Sequence, residues 1–390
     1  MNREQIGLCF SRDEYKKRLK KLQKSMIKKN IDILLIREPV NIFYICGFNS
    51  WGMLQEHTIL FVQSQGEPFL LVRKLEKEVV YLTSWLKNEN IFTWDDHENP
   101  LQKTKELIID MGWFEKNIAF EKSTKFLSIS NFEKLENMLN KKFLDGSWLV
   151  ENLRKIKSED EISCIKKAAN YTAIGMKQGL ESISPGKTEN EIAASIYKAM
   201  IEAGSEFPSL QPTVTSGWKS GIPRTTFHRR KLKNGDCLLI EVGAVFNRYT
   251  AALMRGALIG KEDREMNLIH NVCIDALEAA ISTIKPGITS GKVHDSVQEI
   301  VDKAGFHDEF YNKRTGYSIG CSYPPEWYEG FIIELKKDDQ AVLEPGMVFH
   351  IPPALRILKR CGTGVSETVL VTNNGCEILT DFPRNLYIIN

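Results

Sequence analysis

Two stretches of this chain repeat one another. Ser184-Pro185-Gly186-Lys187-Thr188 opens a helical pattern that ends at Ala203-Gly204, and Lys285-Pro286-Gly287-Ile288-Thr289 opens another that ends at Ala304-Gly305, both landmarks shifted by 101 residues. Further on, Leu232-Lys233-Asn234-Gly235-Asp236 precedes the apolar run Cys237–Ile240, and Leu343-Glu344-Pro345-Gly346-Met347 precedes a similar run. Each half therefore reads turn, helix, turn, strand. Only two copies at so long a spacing do not make a solenoid; a pseudo-symmetric pair of halves instead encloses a cleft. Strand-like runs at Cys237–Val242, Ala341–Phe349 and Glu367–Val371 alternate with helices, yet several are hairpin-linked, which predicts α+β rather than a doubly wound sheet.

The first 150 residues carry no copy of this repeat. Residues 12–29 have helical periodicity, Ile31–Ile36 reads as a buried strand, and Ile42–Ile45 reads as a second. Thr58–Val62 and Phe69–Val72 form a strand pair, and helices near 75–86 and 129–140 flank an apolar run at Ile118–Phe120. Ser158 with Glu161, and Thr188 with Glu191, are capping boxes that start helices. The expected division is a smaller α/β domain over 1–155 and the repeated α+β domain over 156–390.

A net charge of +2 with 26% charged residues gives no electrostatic reason to expect nucleic acid or an anionic membrane as partner. No apolar run approaches a membrane span. The eight cysteines form no C-x-x-C pair, and polar residues follow Met1, so free thiols, no secretory signal and a cytoplasmic location are expected.

Several motifs in order resemble the creatinase/prolidase/methionine-aminopeptidase superfamily, whose catalytic domain is the pita-bread fold. They are Asn41-Ile42-Phe43-Tyr44-Ile45 before Gly47-Phe48, Leu153-Arg154 before Ile156-Lys157-Ser158 with Glu161-Ile162, and His228 before Gly235-Asp236-Cys237-Leu238-Leu239-Ile240. The resemblance implies a pita-bread domain with an internal pseudo-two-fold, behind a creatinase-type N-terminal domain. Its metallopeptidases hold two metals on two Asp, one His and two Glu. Those positions fall here on Glu241, Ala252, Tyr317, Pro352 and Ser366. Ala and Pro have no donor, so no metal and no cofactor is expected.

Without a metal, a side chain must activate water or attack directly. A cationic amidinium carbon is already electrophilic and has less need of a Lewis acid. Gly316-Tyr317-Ser318-Ile319-Gly320, Tyr323-Pro324-Pro325 before Trp327, Phe349-His350, Ser366-Glu367-Thr368 and Pro383-Arg384 are similar to the ectoine-hydrolase branch. The creatinase branch has Glu where Met254 stands. The ectoine branch, however, has an aromatic pair where this chain has Gly52-Met53. The resemblance thus implies a metal-independent hydrolase opening a C–N bond of ectoine, 5-hydroxyectoine or another small cationic amidine. A creatinase-like amidinohydrolase, a metal-dependent Xaa-Pro peptidase or lyase, and a non-catalytic binding relative are the alternatives.

The residues expected to carry this chemistry are Glu241, His228 and Glu367. Glu241 lies inside an apolar strand, where a carboxylate is costly unless used or paired; it is nucleophile or general base, or else a salt-bridge partner of Arg255. His228 is a proton shuttle or a surface histidine. Glu367 binds the cation or faces water at a hairpin end. Arg255 takes a substrate carboxylate or neutralises Glu241. Tyr249, Tyr317, Trp327 and His350 line the cleft or fill the core, Trp327 as a cation–π wall. The resemblance further implies a homodimer in which Trp51 and Gln55 approach the neighbouring subunit's cleft, with a small molecule as the other partner.

Overall fold

A computed structural model describes residues 7–310 and 314–390. The chain divides into a unit ending at Arg154 and a unit that begins at Lys155.

In the first unit the described helices are α1 (Arg12–Lys28), α2 (Pro39–Cys46), α3 (Lys77–Thr83), α4 (Pro100–Asp110), α5 (Ile129–Leu139) and α6 (Glu151–Arg154). The strands are β1 (Ile33–Ile36), β2 (Ile59–Gln63), β3 (Phe69–Arg73), β4 (Ile91–Trp94), β5 (Ile118–Phe120) and β6 (Leu144–Asp145), ordered β4-β3-β2-β1-β5-β6 in one mixed sheet. Ile33, Leu35, Phe61 and Phe120 from the sheet pack with Leu107, Ile108, Leu135 and Leu139 from α4 and α5. The expected strand at Ile42–Ile45 is instead the helix α2. A short run buried on every side has no periodicity to separate the two states. Its punctuation does: Pro39 stands in the first turn, and Gly47 ends the helix at φ +80°.

The second unit contains α7 (Glu159–Glu181), α8 (Glu189–Glu202), β7 (Thr213–Ser216), β8 (Cys237–Phe246), β9 (Tyr249–Ile259), α9 (Arg264–Thr283) and α10 (Ser290–Lys303). It continues through β10 (Arg314–Ser318), β11 (Glu334–Lys336), β12 (Val348–Ile351), β13 (Ala354–Ile357), β14 (Cys361–Gly364), β15 (Glu367–Val371), β16 (Cys376–Ile378) and β17 (Tyr387–Ile389). Both capping boxes form, at Ser158/Glu161 and Thr188/Glu191. The expected strand Ala341–Phe349 begins only at Val348, because Glu344-Pro345-Gly346 turns there, with Gly346 at φ +89°.

The repeat is real at the level of single hydrogen bonds. Gly186 N–H donates to Leu232 O at 2.9 Å and Leu232 N–H to Lys187 O at 2.7 Å; in the second half Gly287 N–H donates to Leu343 O at 3.0 Å and Leu343 N–H to Ile288 O at 2.8 Å. The bridges Thr188–Lys231 and Thr289–Val342 are likewise matched. Gly186 and Gly287, at φ +90° and +84°, make the same turn. Ile192, Ile196 and Met200 on α8 fill the first half's core, and Val293, Val297 and Val301, each 101 residues later on α10, fill the second. The sheet order β9-β8-β7 in the first half answers to β15-β12-β10 in the second, antiparallel throughout. The α+β architecture follows: two layers of paired helices, each backing its own antiparallel strands.

Candidate active site

Side chains alternate across a strand, so one row of the first sheet faces a cavity. Glu241 on β8 lies opposite Thr213 on β7 and Met254 on β9. All three line a cleft of about 450 Å³. The second half supplies Tyr317 from β10, Pro352 after β12, and Trp327 from the loop between β10 and β11. The strand entries are displaced by 111 residues between the halves, and that displacement takes Glu241 to Pro352.

Three guanidinium groups and two carboxylates line this cleft: Arg224, Arg314, Arg356, Glu241 and Glu326. Removal of water pushes the Glu241 carboxyl up to about 6, against the pull of Arg356 and then Arg224. Arg356 sits on β13 and donates from Nη1 to Ser220 O at 2.6 Å. Burial draws its pKa below the usual guanidinium range, while the charge of Glu241 holds it up. Arg224 follows Pro223 and has φ +65°, in the left-handed region that costs a non-glycine residue free energy.

Glu189, the first residue of α8, fixes the segment that carries Arg224. Fully buried, it accepts from Ser216 N–H at 2.9 Å, Ser216 Oγ–H at 2.7 Å and His228 N–H at 2.8 Å, and it pairs with the Lys219 ammonium. Both ends of the stretch from 216 to 228 are thereby tied to one carboxylate.

The opposite wall is a chain of hydrogen-bonding side chains. Trp327 Nε1–H donates to the Tyr317 hydroxyl at 3.1 Å; His350 Nδ1 lies 2.9 Å from that hydroxyl, and His350 Nε2 lies 2.7 Å from Ser366 Oγ. The β10–β12 register sets Tyr317 directly opposite His350. Burial lowers the His350 pKa to about 3, with Arg255 adding to the effect, and burial first, then the Glu241 charge, raise that of Tyr317. Arg314 stacks 4.8 Å from the Tyr317 ring centroid and 4.6 Å from that of Tyr328.

Of the residues singled out from sequence, Glu241, Tyr317 and Trp327 therefore share the cleft, with His350 immediately behind Tyr317. The others lie elsewhere. Arg255 is opposite Ile240, so it leaves the other face of the β8–β9 hairpin from Glu241 and does not pair with it. It is fully buried, bonded to Glu367 and to the carbonyls of Met254, Ser366, Phe382 and Pro383. Glu367 is held at 2.8 Å by both Arg255 and Arg384 and is bonded by the Thr380 hydroxyl. Tyr249 shares Arg255's face and donates to Glu161 at 2.6 Å. These three are committed to packing rather than to the cleft. The His228 side chain is exposed and does not line the cleft; its backbone is what the site uses. Trp51 and Gln55 are exposed at a 3-10 turn, Trp51–Leu54, of the first unit. Sequence gives no sign of Arg224, Arg314 and Arg356, since single arginines in a loop and on two separate strands carry no periodic signal.

The family-type metal pair does not fit these side chains. Of its five positions only Glu241 offers a carboxylate. Ala252 and Pro352 have no donor, and Ser366 and Tyr317 are both engaged with His350. Among the described residues no three His, Cys, Asp or Glu side chains are grouped as a metal ion requires. Nor is any described helix long and apolar enough to cross a membrane.

Residues 163–373 match the family model for metallopeptidase family M24, and residues 18–156 match that for the creatinase/prolidase N-terminal domain. The chain is 29% identical to an ectoine hydrolase of Halomonas elongata, covering 98% of this chain and 99% of that one. It is also 29% identical to a Xaa-Pro dipeptidase of Pyrococcus furiosus, over 95% and 99% of the two chains. The crystal structure of a prolidase from Pyrococcus horikoshii superposes with a TM-score of 0.83 at 26% identity, covering 95% of this chain and 99% of that one.

Proposed function

The chain belongs to metallopeptidase family M24, and from that premise we propose a metal-independent hydrolase that opens a C–N bond of a small amidine-type compound bearing a carboxylate, ectoine or 5-hydroxyectoine first among them. The observation that carries this reading is the replacement of a metal-ligand set by one carboxylate, Glu241, with its pKa near 6 and flanked by Arg356 and Arg224. A carboxyl poised near neutral pH is suited to move a proton. Two guanidinium groups beside it suit a substrate carboxylate, and Trp327 gives an aromatic face for the delocalised cation.

In this mechanism Glu241 takes a proton from water as the water oxygen bonds to the amidinium carbon. The C–N bond then breaks with its electron pair left on nitrogen, and Glu241 returns the proton there. The adduct's hydroxyl proton also ends on that nitrogen, so an amidinium and a water become an amide and an ammonium. We further propose a homodimer in which Trp51 and Gln55 serve the neighbouring subunit.

The Xaa-Pro dipeptidase relative, identical at the same 29%, makes dipeptide cleavage the second reading. Incubation with ectoine, 5-hydroxyectoine, creatine and a Xaa-Pro dipeptide, followed by mass spectrometry, separates them. A gain of 18 Da in an amidine without added metal is the expected result. Cleavage of the dipeptide alone, and only with added divalent metal, supports the second reading.

A further inference from the structure

The wall of the cleft opposite Glu241 contains a proton inventory with one consistent solution. Ser366 is fully buried. Among the described residues, His350 Nε2 at 2.7 Å is the partner of its hydroxyl. A buried hydroxyl proton left without an acceptor costs about 1–3 kcal/mol, so Ser366 donates and Nε2 accepts. His350 is fully buried, and its two ring nitrogens face the hydroxyls of Tyr317 and Ser366 rather than a carboxylate, so it is neutral, and a neutral imidazole carries one N–H. That hydrogen is then on Nδ1, which points 2.9 Å from the Tyr317 oxygen and donates to it. Trp327 Nε1 is a donor only, and it also donates to that oxygen, at 3.1 Å. The Tyr317 oxygen thus accepts twice within the wall. Its own proton has no acceptor within that chain of side chains, and Tyr317 lines the same cleft as Glu241, whose charge acts on the hydroxyl.

We propose that Ser366 and His350 are positioning residues that lock the Tyr317 hydroxyl as a donor into the cleft, and that Tyr317 is a catalytic residue donating a hydrogen bond to the oxygen of the attacking water. This rests on the hydrolase reading above. The water then donates to Glu241 while Tyr317 steadies its oxygen, first as a nucleophile and then as the oxygen of the adduct. Tyr317 itself loses no proton; a phenol whose pKa is raised by burial and by Glu241 remains a donor throughout. A donor fixed in advance costs no reorganisation during the reaction.

Neutron diffraction from a deuterium-exchanged crystal of the full chain tests the relay without any substrate. Deuterium is expected on His350 Nδ1, on Ser366 Oγ directed at Nε2, and on Tyr317 directed into the cleft. Deuterium on His350 Nε2, with that of Tyr317 directed at Nδ1, overturns the proposal. Kinetics on a turned-over amidine test the use of the proton. Tyr317→Phe keeps the ring and should lower kcat by roughly 10²–10³-fold with little change in KM, the usual loss for one fixed donor. Ser366→Ala should lower kcat in the same sense and Ser366→Thr, which keeps the hydroxyl, should restore it. Unchanged kcat in Tyr317→Phe overturns the catalytic role even if the deuterium positions are as expected. Absence of amidine turnover in the wild-type protein counts against the hydrolase reading, whereas the deuterium positions judge the relay alone.

Discussion

Arg255 Nη2 lies 2.8 Å from Oε1 of Glu367, both side chains are essentially buried, and Arg255 leaves the hairpin on the face away from Glu241. This pair is a brace between β9 and β15. Removing Glu367 strands the buried Arg255 guanidinium, at about 3–5 kcal/mol, whereas removing Arg255 leaves Glu367 its ion pair with Arg384. Glu367→Ala should therefore lower the denaturation midpoint sharply, and Arg255→Met should lower it by less. Where folded protein is recovered, KM should stay near wild type. A stable Arg255→Met protein with a strongly raised KM would assign Arg255 to substrate instead.

The pH dependence follows from Glu241. Its carboxyl titrates near 6, raised by burial and opposed by Arg356 and Arg224. Only the carboxylate can accept a proton from water, so kcat/KM should fall as pH drops through about 6. Arg356→Met removes a cation that favours the charged form, so the acid limb should move to higher pH. An acid limb that stays in place in Arg356→Met would show that another group is being titrated.

Stability carries the opposite sign. A carboxyl whose pKa is raised on folding favours the folded state least when ionised. The wild-type protein should lose stability as pH rises from below the ordinary carboxylate range to above about 6. Glu241→Gln is free of that cost, on the order of 1–2 kcal/mol for a shift of this size and less for a half-buried group. Its melting temperature should exceed wild type at pH 8 and match it near pH 4. An equal or lower melting temperature at pH 8 would mean that the carboxylate is compensated by contacts a Gln cannot make.

The homodimer has its own check. Trp51 is 66% exposed on its turn and so is accessible to a second copy of the chain. Light scattering should give twice the chain mass at micromolar concentration, and Trp51→Ala should raise KM. A monomer with full activity would remove any role for a neighbouring subunit.

Much of the fold is legible in the sequence because the two halves repeat the same turn chemistry at a fixed spacing. Gly186 and Gly287 need the same positive φ, and the apolar positions of α8 recur on α10 at a constant interval. Glu241 is legible because a lone carboxylate interrupts an apolar strand. Tyr317 and Trp327 come from motif resemblance. What sequence does not carry is facing. Adjacent positions on β9 point to opposite sides, so Met254 reaches the cleft while Arg255 braces Glu367. His228 belongs to the expected segment, yet it is its backbone N–H, bound to Glu189, that the segment uses. The arginines at 224, 314 and 356 converge from distant elements, and only tertiary structure brings them together.

The central claim is that Glu241, without metal, drives hydrolysis of a small amidine. The most direct measurement is kcat on ectoine for chelator-treated wild-type protein and Glu241→Gln, with metal content determined on the same samples. The expected result is unchanged wild-type turnover at negligible metal, and loss of about 10²–10⁴-fold or more in Glu241→Gln with folding intact. Near wild-type kcat in Glu241→Gln, or turnover that disappears with a stoichiometric transition metal and returns with it, would contradict the claim.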